Sequence, residues 1–387
     1  MGDTADDLER LVEELNSAER AVPPAGARID RWLELVAQRS ASDLLLLPGE
    51  PPLLRIEGRV VRTEGHVLDG SDVEEMVFPV LPAHAKEAYR RRGSTDASRR
   101  LTGLGRFRIN LHRERGRAAA TIRMLPARVP ALSQLQLPAG SDLLCRIPRG
   151  LVIVGGATGS GKTTTVAAIV DDINRREAKH IVTIEDPIEY EHANQKGVIQ
   201  QVEIGSDAPD FPTALRSALR QAPDVLVVGE MRDPETMRIA LAAAETGHLV
   251  LTTLHTTDIA STIGRLVDSF PSERQPTVRQ EIAAALAAVF VQTLIPRRNG
   301  GLVPAAELLM VSYGARQHIR RHALHHLHQE ITITRRHGSF TLEESLTQLV
   351  KAEMIERGEA ALRANHPEDF EQALASGTQS TPATRSS

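Results

Sequence analysis

One cysteine in 387 residues, Cys145, leaves no intrachain disulfide framework and no metal site built on paired thiolates. A lone thiol of this kind reads first as a small packed hydrophobe. Aromatic residues are scarce too: one Trp, three Tyr and seven Phe. Nucleic-acid tracks rely on basic patches and stacking rings, whereas here 46 Lys and Arg face 50 Asp and Glu, for a formal charge of -4. No nucleic-acid partner is expected. No stretch of about twenty apolar residues occurs, so no transmembrane helix is expected. The acidic opening MGDTADDLERLVEELN also lacks the basic flank and apolar run of a signal peptide. These absences point to a cytoplasmic protein that meets a membrane, if at all, by docking on a complex within it.

The length exceeds what one hydrophobic core usually serves, so two domains plus tails are expected. Residues 1–28 read as an acidic helix to about Asn16 followed by a flexible joint at AVPPAG. Residues 29–125 mix a helix around Arg31 to Gln38 with alternating segments at Pro52 to Arg62 and Arg106 to Leu111, the pattern of a small α+β domain. Residues 126–142, with three prolines in PARVPALSQLQLPAG, read as a linker. Residues 143–372 change character. Short apolar runs at Leu151 to Val154, Ile181 to Ile184, Val225 to Val228 and Leu249 to Leu254 alternate with helical stretches. That is how a mostly parallel sheet covered by helices on both faces looks in sequence, so the class is α/β. Beyond Pro304 the pattern reads as helical, ending in a helix pair near Leu342 to Ala364 and a small polar tail over 373–387 that is expected to be disordered.

Gly156, Ala157, Thr158, Gly159, Ser160, Gly161, Lys162 and Thr163 fit the eight-position phosphate-loop pattern, preceded by the apolar run LVIV and followed by the helical run TTTVAAIVDDI. Glycines let the backbone wrap close to phosphates, so that its N–H groups and the positive end of the next helix cradle them. Lys162 is expected to reach the β- and γ-phosphates and the Thr163 hydroxyl to ligate Mg²⁺, with Thr164 completing the nucleotide contacts. ATP and Mg²⁺ are the expected ligands.

Hydrolysis also needs a carboxylate for the metal and a group to orient or activate water. VLVV is followed by Gly229 and Glu230, and IVTI by Glu185, which places each acid at the C-terminal end of a buried strand, where ligands of open α/β sheets sit. His248 and His255 flank the run Leu249 to Leu254. His248 reads as a structural residue, while His255, at the C-terminal end, is the one placed to sense a γ-phosphate.

The blocks GATGSGKTTT, TIEDPIEYEH, DVLVVGEMRD and AAETGHLVLTTLHT together resemble the Walker A, Asp box, Walker B and His box of the secretion ATPase superfamily of type II secretion and type IV pili. SASDLLLLPGEPPLLRIEGRVV, GRFRINLHRERG and TIRMLP resemble that family's PAS-like N-terminal domain, and the resemblance runs from Arg31 to about Leu374. It implies a PAS-like domain joined to a RecA-like ATPase domain with a helical C-terminal part. It further implies that Glu185 is the general base or water-orienting carboxylate, that Glu230 holds Mg²⁺ directly or through water, and that His255 is the His-box residue. Arg108, Arg113 and Arg123 match arginines that reach nucleotide across a ring of six subunits. Assembly and secretion members usually carry a four-cysteine zinc module that the single Cys145 excludes, and PSERQPTVRQEIAAALAAVFVQTLIPRRNGG is similar to the PilT branch of retraction motors.

The resemblance implies a cytoplasmic homohexamer at the inner-membrane face that retracts a pilus through a platform protein, with paralogous pilus ATPases as further partners. The branch signature is degraded to Gly314 through Ala323, keeping Arg316, Ile319 and Arg320. An accessory, PilU-like or secretion-system subunit that modulates a paralogous motor is therefore the alternative. A DNA-translocating relative of the conjugation type shares the core but is disfavoured by the balanced charge and sparse aromatics. Histidines 318, 322, 325, 326 and 328 raise a metal possibility, set against the three or four converging ligands that zinc needs.

Overall fold

The computed structural model describes residues 27–376. The acidic helix, the AVPPAG joint and tail residues 377–387 lie outside the described residues. The described residues form two compact units, one comprising those up to Arg128 with Glu189–Glu191 and Gly205–Asp207, the other the remaining described residues.

The first unit contains α1 (Ala27–Gln38), β1 (Asp43–Leu46), β2 (Leu53–Ile56), β3 (Arg59–Arg62), α2 (Gly70–Val77), α3 (Ala83–Arg92), β4 (Ser94–Leu101), β5 (Gly105–Glu114) and β6 (Arg117–Met124). Helix α1 buries Ile29, Trp32, Leu33 and Val36, a spacing that puts one apolar stripe on the core. Helix α2 starts where the Asp69 and Asp72 side chains form a reciprocal capping box. The strands make an antiparallel sheet in the order β3-β2-β1-β6-β5-β4. Strand β5 shows the period-two rule: Phe107, Ile109 and Leu111 are fully buried while Arg108, Asn110 and His112 face the other way.

The second unit is built on β7 (Gly150–Gly155), β8 (His180–Glu185), β9 (Val198–Glu203), β10 (Val225–Val228), β11 (Leu249–Leu254), β12 (Leu286–Pro296) and β13 (Leu302–Met310). Their order is β13-β12-β7-β11-β10-β8-β9, parallel throughout except for the antiparallel edge pair β12–β13. The helices are α4 (Lys162–Arg176), α5 (Phe211–Ala218), α6 (Pro234–Glu245), α7 (Ile259–Asp268), α8 (Gln275–Ala285), α9 (Tyr313–Arg320), α10 (Leu327–Ile333), α11 (Leu342–Lys351), α12 (Arg357–Ala361) and α13 (Pro367–Ser376). Both sheet faces are covered. Leu151 and Ile153 of β7 pack into one core with residues of α5 to α8, and Val152 and Val154 into another with Val166 and Ile169 of α4. Strands buried on both sides must be continuous apolar runs, which is why β7, β10 and β11 read as they do.

The helical reading beyond Pro304 is corrected at its start. Leu302–Met310 is a strand, and it accepts Pro304 because it is the sheet's edge, where a missing N–H costs no ladder bond. Helix α13 also extends the ordered chain through Ser376, into the span read as tail. Cys145 is buried as expected of a packed thiol, and burial first, then the nearby Asp172 carboxylate, pushes it up to about 12.

Buried Glu307 in β13 accepts the N–H of Ile259 at the start of α7, at 2.7 Å. Burial raises its carboxyl from 4.5 to about 8, against the opposing Ile259 hydrogen bond. The folded chain thus keeps a proton that the unfolded chain releases. The stability this contributes is present below pH 4.5 and is lost as pH climbs to about 8. In denaturant unfolding measured across that window, the wild type should lose about 1.4 kcal/mol per pH unit relative to Glu307→Gln. Parallel pH profiles for the two proteins would contradict this.

Candidate nucleotide site

Strand β7 delivers the glycine-rich loop to the C-terminal edge of the parallel sheet. At Gly156 φ is +151°, and a Cβ there would stand 2.2 Å from Ser160 Oγ and 2.5 Å from the Gln292 carbonyl oxygen, so no other residue fits. Gly161 caps α4 at φ +87°. Lys162 is the first residue of α4 and is only 7% exposed. Its Nζ donates to the Gly156 carbonyl at 2.9 Å and the Ala157 carbonyl at 2.8 Å. The Ser160 hydroxyl is buried without a hydrogen-bond partner. Thr163 and Thr164 follow on the first turn of α4, whose leading N–H groups have no carbonyls one turn earlier in the helix. A cradle too tight for a Cβ, an orphaned buried hydroxyl and a lysine held on loop carbonyls fit a polyphosphate ligand.

Glu185 ends β8, where its Oε1 accepts from Thr183 Oγ1 at 2.7 Å and Gln201 Nε2 at 3.2 Å. On the neighbouring strand β10 the chain passes through Gly229, whose N–H donates to the Ile184 carbonyl at 2.8 Å and whose carbonyl accepts from Thr253 Oγ1 at 2.6 Å. That register sets Glu230 at the sheet edge, paired with Arg232 and 3.9 Å from His255 Nε2. His255 follows β11, with its Nδ1 3.5 Å from Lys162 Nζ and 3.4 Å from Thr158 Oγ1, while its carbonyl accepts from Arg265 at 3.0 Å. Partial burial, and then the Lys162 charge, hold the imidazole below its usual pKa against the pull of Glu230, which favours the neutral ring at neutral pH. Thr158, Lys162, Glu230 and His255 therefore form one cluster. His248 sits at the other end of β11, where its ring lies 3.0 Å from the Ala243 carbonyl and its own carbonyl accepts the Gly150 N–H at 2.9 Å. Its contacts lie at the opposite end of the strand from the phosphate loop.

Gln292 lies outside every sequence motif and yet belongs to the site. From β12 its Nε2 donates to the Ser160 carbonyl at 2.5 Å and its Oε1 accepts from Thr165 Oγ1 at 2.7 Å. It is 4% exposed and pins the phosphate loop to the start of α4. The available signal was one amide inside the apolar stretch AVFVQTLIP, since a polar residue kept in a buried strand must satisfy its hydrogen bonds.

Arg108, Arg113 and Arg123 belong to the first unit. Arg108 and Arg123 are cross-strand partners on β5 and β6. Arg108 pairs with Asp96 at 3.2 Å and Arg123 with buried Asp43 at 2.8 Å. Arg113, by alternation, takes the opposite face, its guanidinium 5.3 Å from the centre of the Tyr89 ring.

Residues 119–381 match the family model described as Type II/IV secretion system protein. The chain belongs to this family. It is a P-loop ATPase of the PilT type, and nucleotide binding follows from membership. It is similar to the "Type IV pilus retractation ATPase PilT" of Pseudomonas aeruginosa, with 40% identity over 88% of this chain and 99% of that one. It is 33% identical to the "Type IV pilus ATPase PilU" of the same organism over 91% of this chain and 92% of that one. A crystal structure of the pilus retraction motor PilT with bound ADP superposes with TM-score 0.80 at 38% identity, covering 88% and 98% of the two chains. Among the described residues no helix is long and apolar enough to cross a membrane.

Because the Lys162 ammonium helps to hold His255 neutral, Lys162→Ala should let the ring protonate at higher pH than in the wild type, as followed by NMR of labelled histidine. An unchanged titration would remove the lysine from the account. Replacing Gln292 with Ala leaves the Thr165 hydroxyl and Ser160 carbonyl unpaired in the interior. ADP binding measured by calorimetry should weaken by about tenfold, with the rest of the fold intact. Wild-type affinity would show that the loop holds its shape without that amide.

Proposed function

We propose that the chain is an ATP-driven motor of the pilus-retraction kind, working as a homohexamer at the cytoplasmic face of the inner membrane on a platform protein. The observation that carries this reading is the convergence of Lys162, Thr158, His255 and Glu230 around a phosphate loop at the ends of parallel strands. Similarity to a retraction ATPase over nearly its whole length supports the choice of motor.

In the proposed cycle Lys162 exchanges the Gly156 and Ala157 carbonyls for β- and γ-phosphate oxygens, and the orphaned Ser160 hydroxyl and the leading amides of α4 complete the cradle. The Thr163 hydroxyl and the Glu230 carboxylate are the residues that would hold Mg²⁺, whose charge would offset that of the phosphates. Glu185, oriented by Thr183 and Gln201, aligns the attacking water and takes its proton. Neutral His255, between Lys162 and Glu230, reports whether the γ-phosphoryl is present. Arg108 and Arg123, side by side on one sheet face, are the pair suited to reach the nucleotide of a neighbouring subunit and stabilise charge on the transferring group. Arg113, stacked on Tyr89, is less available for that task.

A second reading, an accessory subunit that modulates a paralogous pilus ATPase, is favoured by one feature. Arg316, a surviving residue of the degraded signature, turns its guanidinium onto the Ala283 and Ala284 carbonyls at the end of α8. Similarity to PilU also permits this reading.

Purified protein should hydrolyse ATP, and Lys162→Ala and Glu230→Gln should each fall to background. Glu185→Gln should keep its nucleotide affinity within a few-fold while kcat drops at least about 100-fold. Full turnover in the first two variants would sink the assigned site. A nucleotide-binding protein that is inactive alone, and that fails to restore motility in a strain lacking every paralogue, would decide for the accessory reading.

A further inference from the structure

The histidine-rich segment does not gather into a metal site of its own. Among the described residues one group of side chains could hold an ion, and it combines a single histidine of that segment, His328, with His366 and Asp369. Their candidate ligand atoms all lie within 4.8 Å of one another. His328 Nε2 is 3.0 Å from Asp369 Oδ2, and the His328 and His366 rings stack at 3.8 Å between centres.

The backbone around the three is anchored independently of them. His328 lies in the first turn of α10. The His366 N–H donates to the carboxylate of buried Glu343 at 2.9 Å, and the His366 carbonyl accepts the N–H of Phe370, which is fully buried among the residues of α11 and α12. Asp369 stands three residues after His366, in the first turn of α13, so the two project from one side of the helix entrance. Two imidazoles and a carboxylate are thus brought together from segments about forty positions apart, by contacts that need no ion.

We propose that His328, His366 and Asp369 form a binding site for a zinc-class divalent cation that ties the C-terminal helix α13 to α10. Bond lengths of about 2.0–2.2 Å at a tetrahedral ion separate its ligand atoms by about 3.3–3.5 Å. The 3.0 Å His328–Asp369 pair needs only to open slightly, and the exposed His366 ring to turn toward it. Among the described residues no hydrogen bond engages the His366 ring, so turning it sacrifices none of theirs. Two nitrogens and one oxygen suit Zn²⁺, Co²⁺ or Ni²⁺ better than Mg²⁺ or Ca²⁺, and water completes the fourth position. The site lies away from the phosphate loop and uses none of its residues. Its consequence is mechanical: α10 also carries Glu330, which accepts from Ser312 Oγ at the N-cap of α9 at 2.7 Å and lies 3.5 Å from His318, so a tether on α10 also steadies the helix that bears Arg316 and Arg320.

The test uses the full-length, untagged chain stripped of metal with a chelator. Zn²⁺ is titrated in competition with a chromophoric chelator, and Co²⁺ serves as the spectroscopic probe. The expected result is one ion per chain with the visible absorption of tetrahedral Co²⁺. His366→Ala and Asp369→Asn should each weaken binding by more than about tenfold, since loss of an outer-shell partner alone costs that much. A His325→Ala, His326→Ala double variant should bind as the wild type does. Zn²⁺ should raise the melting temperature of the wild type and not that of His366→Ala. Because His366 and Asp369 are exposed, both variants should fold, which circular dichroism checks. Wild-type affinity no tighter than that of His366→Ala, or binding that vanishes in the His325/His326 double variant, would reduce the trio to an ion pair with a stacked ring and overturn the proposal.

Discussion

Lys162 is a cation kept almost wholly out of water at the start of α4. An ammonium in that position is costly unless oxygen atoms surround it, and the Gly156 and Ala157 carbonyls supply them only because the loop bends sharply at glycines and is pinned from outside. The pin is Gln292, which reaches from β12 to the Ser160 carbonyl and Thr165 hydroxyl. Strand β12 in turn stays in place by pairing in parallel with β7, whose residues are buried on both faces. The phosphate loop, the edge of the sheet and the hydrophobic core beneath it are therefore one construction. The charge on Lys162 also acts outward, on the imidazole of His255.

Much of this was legible in the residues. The four apolar runs became β7, β8, β10 and β11, because a strand buried on both faces has no room for alternation. Glu185 and Glu230 could be placed at strand ends because each directly follows such a run. The other sheet members hid for physical reasons. Strand β9, VIQQVE, is half exposed, as an edge strand can be. Strand β13 carries Pro304 and the buried Glu307, neither of which suggests a strand until its edge position and the bond to Ile259 are known. Gln292 carries no motif and stands alone in an apolar run, so its role as the bridge to the loop emerges only from its two hydrogen bonds.

Side-chain direction was the other limit. Arg108, Arg113 and Arg123 are equivalent as entries in a sequence, but pleating places Arg108 and Arg123 together on one face and Arg113 on the other, over an aromatic ring. The histidines behave likewise. Five in one segment suggested a metal cluster, yet the fold stacks His318, His325 and His326 ring on ring and sets His328 apart, beside His366 and Asp369, which are distant in sequence. The match to the type II/IV secretion family spans the loop and the strand-end carboxylates, while the charge pairs around the arginines and the His328 trio are read from the contacts of this chain.

We propose that nucleotide phosphates seat on the loop and first turn of α4 and that the γ-phosphate is sensed at Glu230 and His255. Hydrogen–deuterium exchange with and without a saturating non-hydrolysable ATP analogue and Mg²⁺, which supplies the γ-phosphate that ADP lacks, is the decisive measurement. Exchange should slow in peptides covering residues 156–165 and at the segments after β10 and β11, with the β13 edge unaffected. Calorimetrically proven binding of the analogue that leaves residues 156–165 exchanging at the unliganded rate would exclude this seat.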